Sequence, residues 1–203
     1  MRVAILAFDG FDELDAFVAF GLLNQLATLG WKAEIAGPAA QLTSMNGLAL
    51  QAQQPLEFAN QADAVLFPGG LYTRAVAENS ALLDRLQLDP LRQLIGAQCS
   101  GALLLARLGL LADMPACADA ATKPWLLESG VRVVDEPFHA RGPVATAGGC
   151  LAAQYLAAWL MLRGAGVETT TGALHHAAPM GEKDAYVERL LKVVTPFVED
   201  APG

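Results

Sequence analysis

The stretch that decides the fold is Leu94-Ile95-Gly96-Ala97-Gln98-Cys99-Ser100-Gly101-Ala102-Leu103-Leu104-Leu105-Ala106. An apolar run ends at Cys99, a small Ser-Gly pair follows, and residues of helical character resume at Ala102. This pattern predicts a strand, a tight turn and a helix, the arrangement that in a G-x-S-x-G elbow pushes a nucleophile out above the edge of a sheet. The N-terminus of the following helix favours the thiolate form of Cys99. Cys99 is therefore a candidate nucleophile, and the alternative is a buried cysteine that packs as a small hydrophobe.

Apolar runs elsewhere in the chain predict the architecture around this turn. Val3–Phe8 and Ala64–Phe67 are continuous apolar runs, which are typical of parallel strands covered on both faces. Helical spacing from Glu13 to Leu29, closed by Gly30, leads to a second strand at Trp31–Ala36 and gives a β-α-β unit. We expect an α/β fold, a doubly wound domain with a largely parallel central sheet, and one domain over residues 1–203.

The remaining elements follow from the same patterns. Asn46-Gly47 lies between two partly apolar runs, which predicts a hairpin over Leu42–Leu50. Residues 82–94 are mostly helical in pattern, with a break at Pro90. The other predicted elements are helices at Lys123–Ser129, Cys150–Arg163 and Glu182–Val198, and strands at Val131–Val134, Phe138–Arg141 and Pro143–Thr146.

The charge balance limits the partners of the protein. Thirteen basic and 21 acidic residues leave a net charge of −8, and no basic run is present, so we expect no nucleic-acid partner. The apolar run at the N-terminus is too short for a signal peptide, and no run approaches the about 20 apolar residues that a membrane span needs. We expect a cytoplasmic protein with a small-molecule substrate, no membrane partner and no cofactor.

Residues just after the predicted strands should meet at one edge of the sheet, where open α/β sheets bind ligands. The backbone N–H groups of Gly70 and Ser100 would form an oxyanion hole beside Cys99, and a simple Gly-Gly turn is the alternative. Asp15 lies among apolar neighbours, so we expect a desolvated carboxyl with a raised pKa that holds or donates a proton. The other residues at these positions are Asp9, Asp12, Glu13, Pro68, Gly69, Gly148 and Gly149. Asp12 and Glu13 are interpreted as favourable charge in the first turn of a helix.

Cysteine and histidine spacing gives no more than a weak metal signal, from the pair His175-His176. Cys99, Cys117 and Cys150 are odd in number and widely spaced, which predicts free thiols and no zinc cluster, and the last two are interpreted as structural. A helix start could still lower the pKa of Cys150. The pair His175-His176 is assigned to a loop that could fold over the site, and the alternative is a solvated surface pair. The possible pocket residues are Gly69, Leu71, Gly148, Gly149, His175 and His176.

Several of these motifs together resemble the ThiJ/PfpI superfamily, which is class I glutamine amidotransferase-like in fold. The motifs are Ala64–Gly70, Gly96–Ala102, Thr146–Gly149 and the opening strand with Glu13-Leu14-Asp15, and the resemblance extends to about Arg163. Within the superfamily, the position of Asp15 and the turn Cys99-Ser100-Gly101 are most similar to isocyanide (isonitrile) hydratase and to the related domain of AraC-type regulators.

The resemblance implies a flavodoxin-like sandwich and a homodimer. It also implies that Cys99 is the nucleophile, that Asp15 is its acidic partner, and that Gly70 and Ser100 supply oxyanion-hole N–H groups. This chain has Ala121-Thr122-Lys123-Pro124 where protease-like and chaperone-like members carry a histidine, which argues against a Cys-His mechanism. The hydratase has threonine after its cysteine, whereas this chain has Ser100, so the substrate pocket is expected to differ.

Three functions fit these residues. The first is a cysteine-dependent hydratase or hydrolase of a small molecule, in which Cys99 attacks an isonitrile carbon and Asp15 supplies the proton. The second is a non-catalytic, redox-responsive stress protein in which Cys99 is oxidised and Asp15 hydrogen-bonds the product. The third, ranked lowest, is a glyoxalase-like activity on reactive carbonyls, which would use Asp15 or a loop histidine as its base.

Overall fold

The computed structural model describes residues 1–112 and 114–198. Its strands are β1 Arg2–Leu6, β2 Lys32–Gly37, β3 Gln41–Thr43, β4 Ala49–Gln51, β5 Gln54–Pro55, β6 Ala64–Phe67, β7 Leu94–Gln98, β8 Phe138–Arg141 and β9 Val144–Ala147. Its α-helices are α1 Glu13–Leu23, α2 Thr73–Glu78, α3 Ser80–Leu83, α4 Gly101–Arg107, α5 Lys123–Glu128, α6 Ala153–Ala177 and α7 Lys183–Val194. Short 3-10 helices lie at Asn24–Leu29, Leu56–Gln61, Cys150–Ala152 and Thr195–Phe197.

Seven strands form the central sheet in the order β5-β2-β1-β6-β7-β9-β8. Neighbouring strands are parallel except for β8 and β9, which pair antiparallel at one edge. Alternate residues of β1 face opposite layers: Val3 and Ile5 pack with α1, α6 and α7, whereas Ala4 and Leu6 pack with α2 to α5. The predicted α/β class, with a doubly wound, largely parallel and flavodoxin-like sheet, is confirmed.

The short hairpin is also confirmed. Strands β3 and β4 pair antiparallel, with Thr43 opposite Ala49, and the Asn46-Gly47 pair lies in the connection. Gly47 has a φ of +84°, a conformation that glycine adopts without strain. The hairpin packs beside the carboxyl end of β1, because Phe11 forms a bridge with Ser44 and the Met45 N–H donates to the Phe11 carbonyl. This packing brings Met45 to the edge of the sheet where the site lies.

The predicted helix over residues 82–94 is wrong. Within this segment only residues 82 and 83 are helical, as the end of α3, and Leu94 already begins β7. The buried side chain of Gln93 stabilises the irregular segment between α3 and β7. Its Oε1 accepts a hydrogen bond from the Asp89 N–H, and its Nε2 donates to the carbonyls of Ala59 and Ala62. The spacing of apolar residues cannot predict that a buried glutamine side chain will form hydrogen bonds with the backbone of neighbouring segments. The predicted strand Val131–Val134 is also wrong, since Val133 forms only an isolated bridge with Ala116.

Helix α6 is longer than predicted. It does not end at Arg163 but continues to Ala177, with a break at Gly166, where φ is +80°. Its second half packs against α7, which keeps it helical although glycines interrupt the pattern. By length and composition alone the helix at Cys150–Ala177 could cross a membrane, but half of its most apolar window is buried inside the fold, as in a core helix.

Candidate active site

Cys99 occupies a sharp turn between β7 and α4, as the sequence predicts. Its φ is +48°, and it is the only non-glycine residue with a positive φ in the described ranges 1–112 and 114–198. The Cys99 N–H donates to the Ala147 carbonyl on β9 at 2.9 Å. Gly101 makes the turn possible, because a Cβ at this position would lie 2.0 Å from the Phe67 carbonyl oxygen. The elbow is thus fixed by the packing of β6 and β9 around it.

Asp15 reaches this turn from the first turn of α1. Asp12 caps the helix, since its Oδ1 accepts hydrogen bonds from the N–H groups of Leu14 and Asp15, and this cap fixes the direction of the Asp15 side chain. Asp15 is only 2% exposed, its Oδ2 accepts a hydrogen bond from the Gly69 N–H at 2.9 Å, and its Oδ1 lies 3.7 Å from Cys99 Sγ. The predicted partner of Cys99 therefore lies beside it.

Burial raises the pKa of Asp15 to about 7, and the negative charge of Asp12 adds to this rise. The hydrogen bond from the Gly69 N–H opposes the rise because it stabilises the carboxylate. Asp15 thus changes its protonation state near neutral pH, as the apolar neighbours of Asp15 predict. A carboxyl group of this kind can accept a proton and return it within one reaction cycle.

The pKa of the Cys99 thiol moves in the direction opposite to the prediction from the helix N-terminus. Cys99 is 6% exposed, and burial raises its pKa, with a further rise caused by the negative charge of Asp15. A backbone hydrogen bond from Gly149 opposes this rise without reversing it. Burial and the neighbouring carboxylate outweigh the short helix α4. The structure therefore places a thiol beside a base. Because the two groups interact strongly, the apparent pKa values of their two protons are properties of the pair and not of either residue alone.

Cys150 is a second thiol in the site and was interpreted as structural from the sequence. It begins the 3-10 segment after β9, and its Sγ lies 3.3 Å from Asp12 Oδ2. The ligand atoms of Asp15, Cys99 and Cys150 all lie within 4.8 Å of one another. Burial raises the pKa of Cys150 to about 12, and Asp15 contributes to this rise. Two thiols and a carboxylate are donors that suit Zn²⁺ and, through sulfur, Cu(I), with three protein ligands; the expectation of no metal stays a prediction.

The Ser100 hydroxyl accepts a hydrogen bond from the Gly70 N–H, one of the two N–H groups that are predicted to form the oxyanion hole. The Gly70 N–H donates to Ser100 Oγ at 3.0 Å, Ser100 Oγ donates to Thr73 Oγ1 at 2.9 Å, and Thr73 Oγ1 donates to the Gly70 carbonyl at 3.0 Å. An oxyanion would have to replace the hydroxyl of Ser100 as the acceptor of Gly70. The Ser100 N–H precedes α4, where the first N–H groups of a helix lack intrahelical acceptors. The predicted oxyanion hole stays a prediction.

These groups lie in a cavity of about 420 Å³. Its walls combine apolar side chains with three carboxylates and two thiols, and none of its described lining residues is basic. The lining residues are Asp12, Asp15, Met45, Gly70, Leu71, Cys99, Ser100, Asp119, Ala121, Thr122, Trp125 and Cys150. The cavity is large enough for a small molecule, and its acidic groups disfavour an anionic one.

Comparison with known proteins agrees with this elbow and sheet. The family model described as DJ-1/PfpI family matches residues 1–163. The chain belongs to the DJ-1/PfpI family. This finding confirms the predicted superfamily, but a match to the family does not show the specificity of an isonitrile hydratase. A comparison with curated proteins finds no match.

Solved structures of DJ-1 proteins share the fold. Schizosaccharomyces pombe DJ-1 superposes with a TM-score of 0.75 at 17% identity, covering 88% of this chain and 100% of its own. A THiJ/PfpI family protein from Pseudomonas syringae gives 0.78 at 19% identity, covering 98% and 89%. Toxoplasma gondii DJ-1, in an oxidised form, gives 0.70 at 19% identity, covering 87% and 97%. At these identities the similarity establishes the fold.

The predicted pocket residues separate into two groups. Gly70 and Leu71 line the cavity, Gly69 lies behind it and binds Asp15, and Gly149 hydrogen-bonds Cys99 through its backbone. Gly148 packs against the backbone of Ala118, where a Cβ would lie 2.9 Å from a carbonyl oxygen.

The two histidines belong to a different part of this DJ-1/PfpI protein. His175 and His176 lie in the last turn of α6 and not in a loop, because α6 extends further than predicted. His175 Nε2 is 3.6 Å from Asp184 Oδ1 on α7, and His175 lines a separate cavity between these helices. Neither histidine lines the cavity of Cys99. Lys123, at the position where relatives were expected to carry a histidine, is exposed and outside the cavity lining.

Proposed function

We propose that this protein is a cysteine-dependent hydratase or hydrolase of a small, uncharged, largely apolar molecule, with isonitriles as the substrate class. The observation that carries the proposal is the buried pair of Cys99 and Asp15, with Sγ 3.7 Å from Oδ1. Since the pKa of Asp15 is about 7, its carboxylate can take the thiol proton at the moment of attack.

The reaction would proceed in two steps. Cys99 Sγ forms a bond to the terminal carbon of the isonitrile as its proton passes to Asp15, and Asp15 then protonates that carbon to give a thioimidate. Water then adds across the C=N bond, with its oxygen on the same carbon and one of its protons on the nitrogen. The carbon–sulfur bond breaks, and the second proton of the water returns to the thiol. The product is an N-substituted formamide, and the sum is the addition of one water molecule.

The lining of the cavity supports an uncharged substrate. Asp12, Asp15 and Asp119 contribute carboxyl groups, whereas Met45, Leu71 and Trp125 contribute apolar surface. The Asp119 carboxylate is occupied by hydrogen bonds from Thr122 and the Ala121 N–H, so it is a structural group of the wall. An isonitrile with an apolar substituent suits this surface, and an anionic substrate would meet repulsion.

The proposal includes the setting of the enzyme. We place it in the cytoplasm, as a homodimer without a cofactor, with a small-molecule substrate and no nucleic-acid or membrane partner. The acidic net charge of −8 supports the absence of a nucleic-acid partner. Sedimentation of the purified chain tests the dimer directly.

The test is turnover of aryl and alkyl isonitriles by the purified protein, with the formamide followed by NMR. We expect formamide from the wild type, loss of turnover in Cys99→Ala, and a large loss in Asp15→Asn. Cys117→Ala is the matched control, because Cys117 is buried outside the cavity. If the wild type forms no more formamide than Cys99→Ala with any isonitrile, the hydratase proposal is wrong.

A redox-responsive role is the second candidate, and the protonation of Asp15 favours it. A carboxyl group with a pKa of about 7 can donate a hydrogen bond to an oxidised sulfur at neutral pH. Mass spectrometry after peroxide treatment, together with the isonitrile assay, separates the two roles. Selective oxidation of Cys99 without turnover of isonitriles or of methylglyoxal would favour this candidate.

A further inference from the structure

Two thiols face each other across the cavity, which the hydratase mechanism does not require. The Sγ atoms of Cys99 and Cys150 lie within 4.8 Å of each other and of a carboxylate oxygen of Asp15. All three cysteines of the chain are free, and the third, Cys117, is fully buried away from the cavity lining. Only the first two can therefore react with each other without a change of fold.

We propose that Cys150 is the resolving thiol of Cys99, so that the site reduces a hydroperoxide and closes a disulfide between Cys99 and Cys150. This proposal goes beyond the hydratase function and needs only that Cys99 is nucleophilic. The oxidant is hydrogen peroxide or a small organic hydroperoxide, which is uncharged and enters an acidic cavity without repulsion.

The chemistry takes two steps. In the first, Cys99 sulfur attacks the terminal peroxide oxygen, the O–O bond breaks, the sulfur is oxidised to a sulfenic acid, and the leaving oxygen departs as water or an alcohol. In the second, Cys150 sulfur attacks the sulfenic sulfur, the S–O bond breaks, and water leaves with the Cys150 proton. Two electrons pass from the two thiols to one peroxide, and a small dithiol returns them.

Two acidic residues of the cavity can accept and donate the protons that both steps require. Asp15 receives the Cys99 proton, since its Oδ1 is 3.7 Å from that sulfur, and it can donate the proton to the departing oxygen. Asp12 Oδ2 is 3.3 Å from Cys150 Sγ and can accept the second proton. Asp12 thus serves Cys150, whereas Asp15 hydrogen-bonds both thiols.

The backbone at Cys150 allows the two sulfurs to meet. A disulfide needs an S–S distance of about 2.05 Å, so the sulfurs must approach from within 4.8 Å. Cys150 is half-buried and follows Gly149, whose φ is +92° and whose Cβ position has no neighbour within 4 Å. Rotation of the Cys150 side chain and a small shift of its 3-10 segment therefore meet little obstruction, whereas the Cys99 turn stays fixed.

The test treats the reduced full chain with equimolar hydrogen peroxide, blocks the remaining thiols with N-ethylmaleimide and maps the peptides by mass spectrometry. We expect a peptide pair linked through Cys99 and Cys150 in the wild type and in Cys117→Ala, reversible by dithiothreitol and independent of protein concentration. In Cys150→Ser we expect sulfenic acid at Cys99 that dimedone traps, and accumulation of sulfinic acid at least about tenfold faster than in the wild type.

Two results would overturn the proposal. One is a wild type in which Cys99 proceeds to sulfinic acid as fast as in Cys150→Ser, with no linked peptide. The other is a disulfide that pairs either residue with Cys117 or with a second chain. The linked peptide is measured on the wild type, so the result stands even where Cys150→Ser folds poorly, and it is independent of isonitrile turnover.

Discussion

Cys99 Sγ lies 3.7 Å from one oxygen of Asp15, and the other oxygen of that carboxyl group accepts a hydrogen bond from the Gly69 N–H at 2.9 Å. The backbone just after β6 therefore orients the Asp15 carboxyl group so that one of its oxygens faces the Cys99 thiol. Because the pair is buried, solvent screens little of a negative charge on either group, so the ionisation of one group opposes that of the other. The chemistry that we propose follows from this arrangement.

Asp15→Asn should flatten the pH dependence of stability. The pKa of Asp15 is near 4 in the unfolded chain and about 7 in the folded protein, so between these values the folded state binds more protons. Stability from this residue is present at low pH and is lost as the pH rises through about 7. The loss is on the order of a few kcal/mol, since each pKa unit is worth about 1.4 kcal/mol.

Urea unfolding between pH 4 and pH 7.5 measures this effect. The wild type should lose more stability over this range than Asp15→Asn. Asp135→Asn, an exposed carboxyl outside the cavity lining, should follow the wild type. Parallel profiles for the wild type and Asp15→Asn would show that burial does not raise the pKa of Asp15.

Gly101→Ala should destabilise the elbow. The new Cβ would lie 2.0 Å from the Phe67 carbonyl oxygen, so β6 and α4 would have to separate, at a cost of about 3 kcal/mol. Gly21→Ala is the control, because Gly21 is an exposed position in α1 with no atom within 4 Å of a Cβ. It should gain about 0.5 to 1 kcal/mol from helix propensity. Denaturant unfolding compares the two, and equal effects would contradict the packing argument.

Ser100→Ala should cost stability because it leaves the Gly70 N–H without its acceptor. Gly70 is partly buried and lines the cavity, so the cost should be about 1 kcal/mol, at the lower end of the about 1 to 3 kcal/mol for a fully buried donor without a partner. Ser100→Thr keeps the hydroxyl group and should cost less, and since Ser100 lines the cavity, the added methyl group should change substrate preference. Thermal unfolding of both variants, followed by turnover of isonitriles of different size, checks the prediction, which fails if Ser100→Thr is the less stable variant.

Glu13→Ala should loosen the β3–β4 hairpin. The Glu13 carboxylate accepts hydrogen bonds from the Ser44 hydroxyl and from the Asn46 side chain, and the Ser44 bond is the main cause of its lowered pKa. These bonds hold Met45 at the cavity. Hydrogen exchange should accelerate at residues 41–51, and KM for isonitriles should rise more than kcat falls. Glu78→Ala, on the exposed surface of α2, should leave both unchanged; an equal effect of the two variants would contradict this role.

The elbow and Asp15 could be predicted because both carry a local signal. An apolar run that stops at Cys99 before two small residues predicts a strand–turn–helix, and a carboxyl among apolar neighbours predicts a raised pKa. The direction of the Cys99 pKa could not be predicted this way. It depends on burial and on Asp15, which is 84 residues away in sequence.

The second thiol and the cavity wall required the fold. Cys150 lies 138 residues from Asp12, and its position after the Gly148-Gly149 pair at the end of β9 was the only sequence signal of its place in the site. Met45 lines the cavity from the hairpin, and Trp125 lines it from α5. The sequence predicted both elements but not that they pack beside Cys99. The two histidines were misplaced because packing on α7 extends α6 beyond its glycines.

The measurement that tests the central claim most directly is the pH dependence of Cys99 alkylation by iodoacetamide, in the wild type and in Asp15→Asn. Mass spectrometry resolves Cys99, Cys117 and Cys150 separately, so the other two thiols are internal controls. Because the Cys99 thiol is buried and its own pKa is raised, we predict that its alkylation in the wild type depends on Asp15 as the base that takes the proton, with a midpoint near the Asp15 pKa of about 7. In Asp15→Asn this base is absent, so the buried thiol should react only at a pH above about 8.5, the pKa of a free thiol. A Cys99 profile that is the same in both proteins, or no faster than that of Cys117, would contradict the coupled pair.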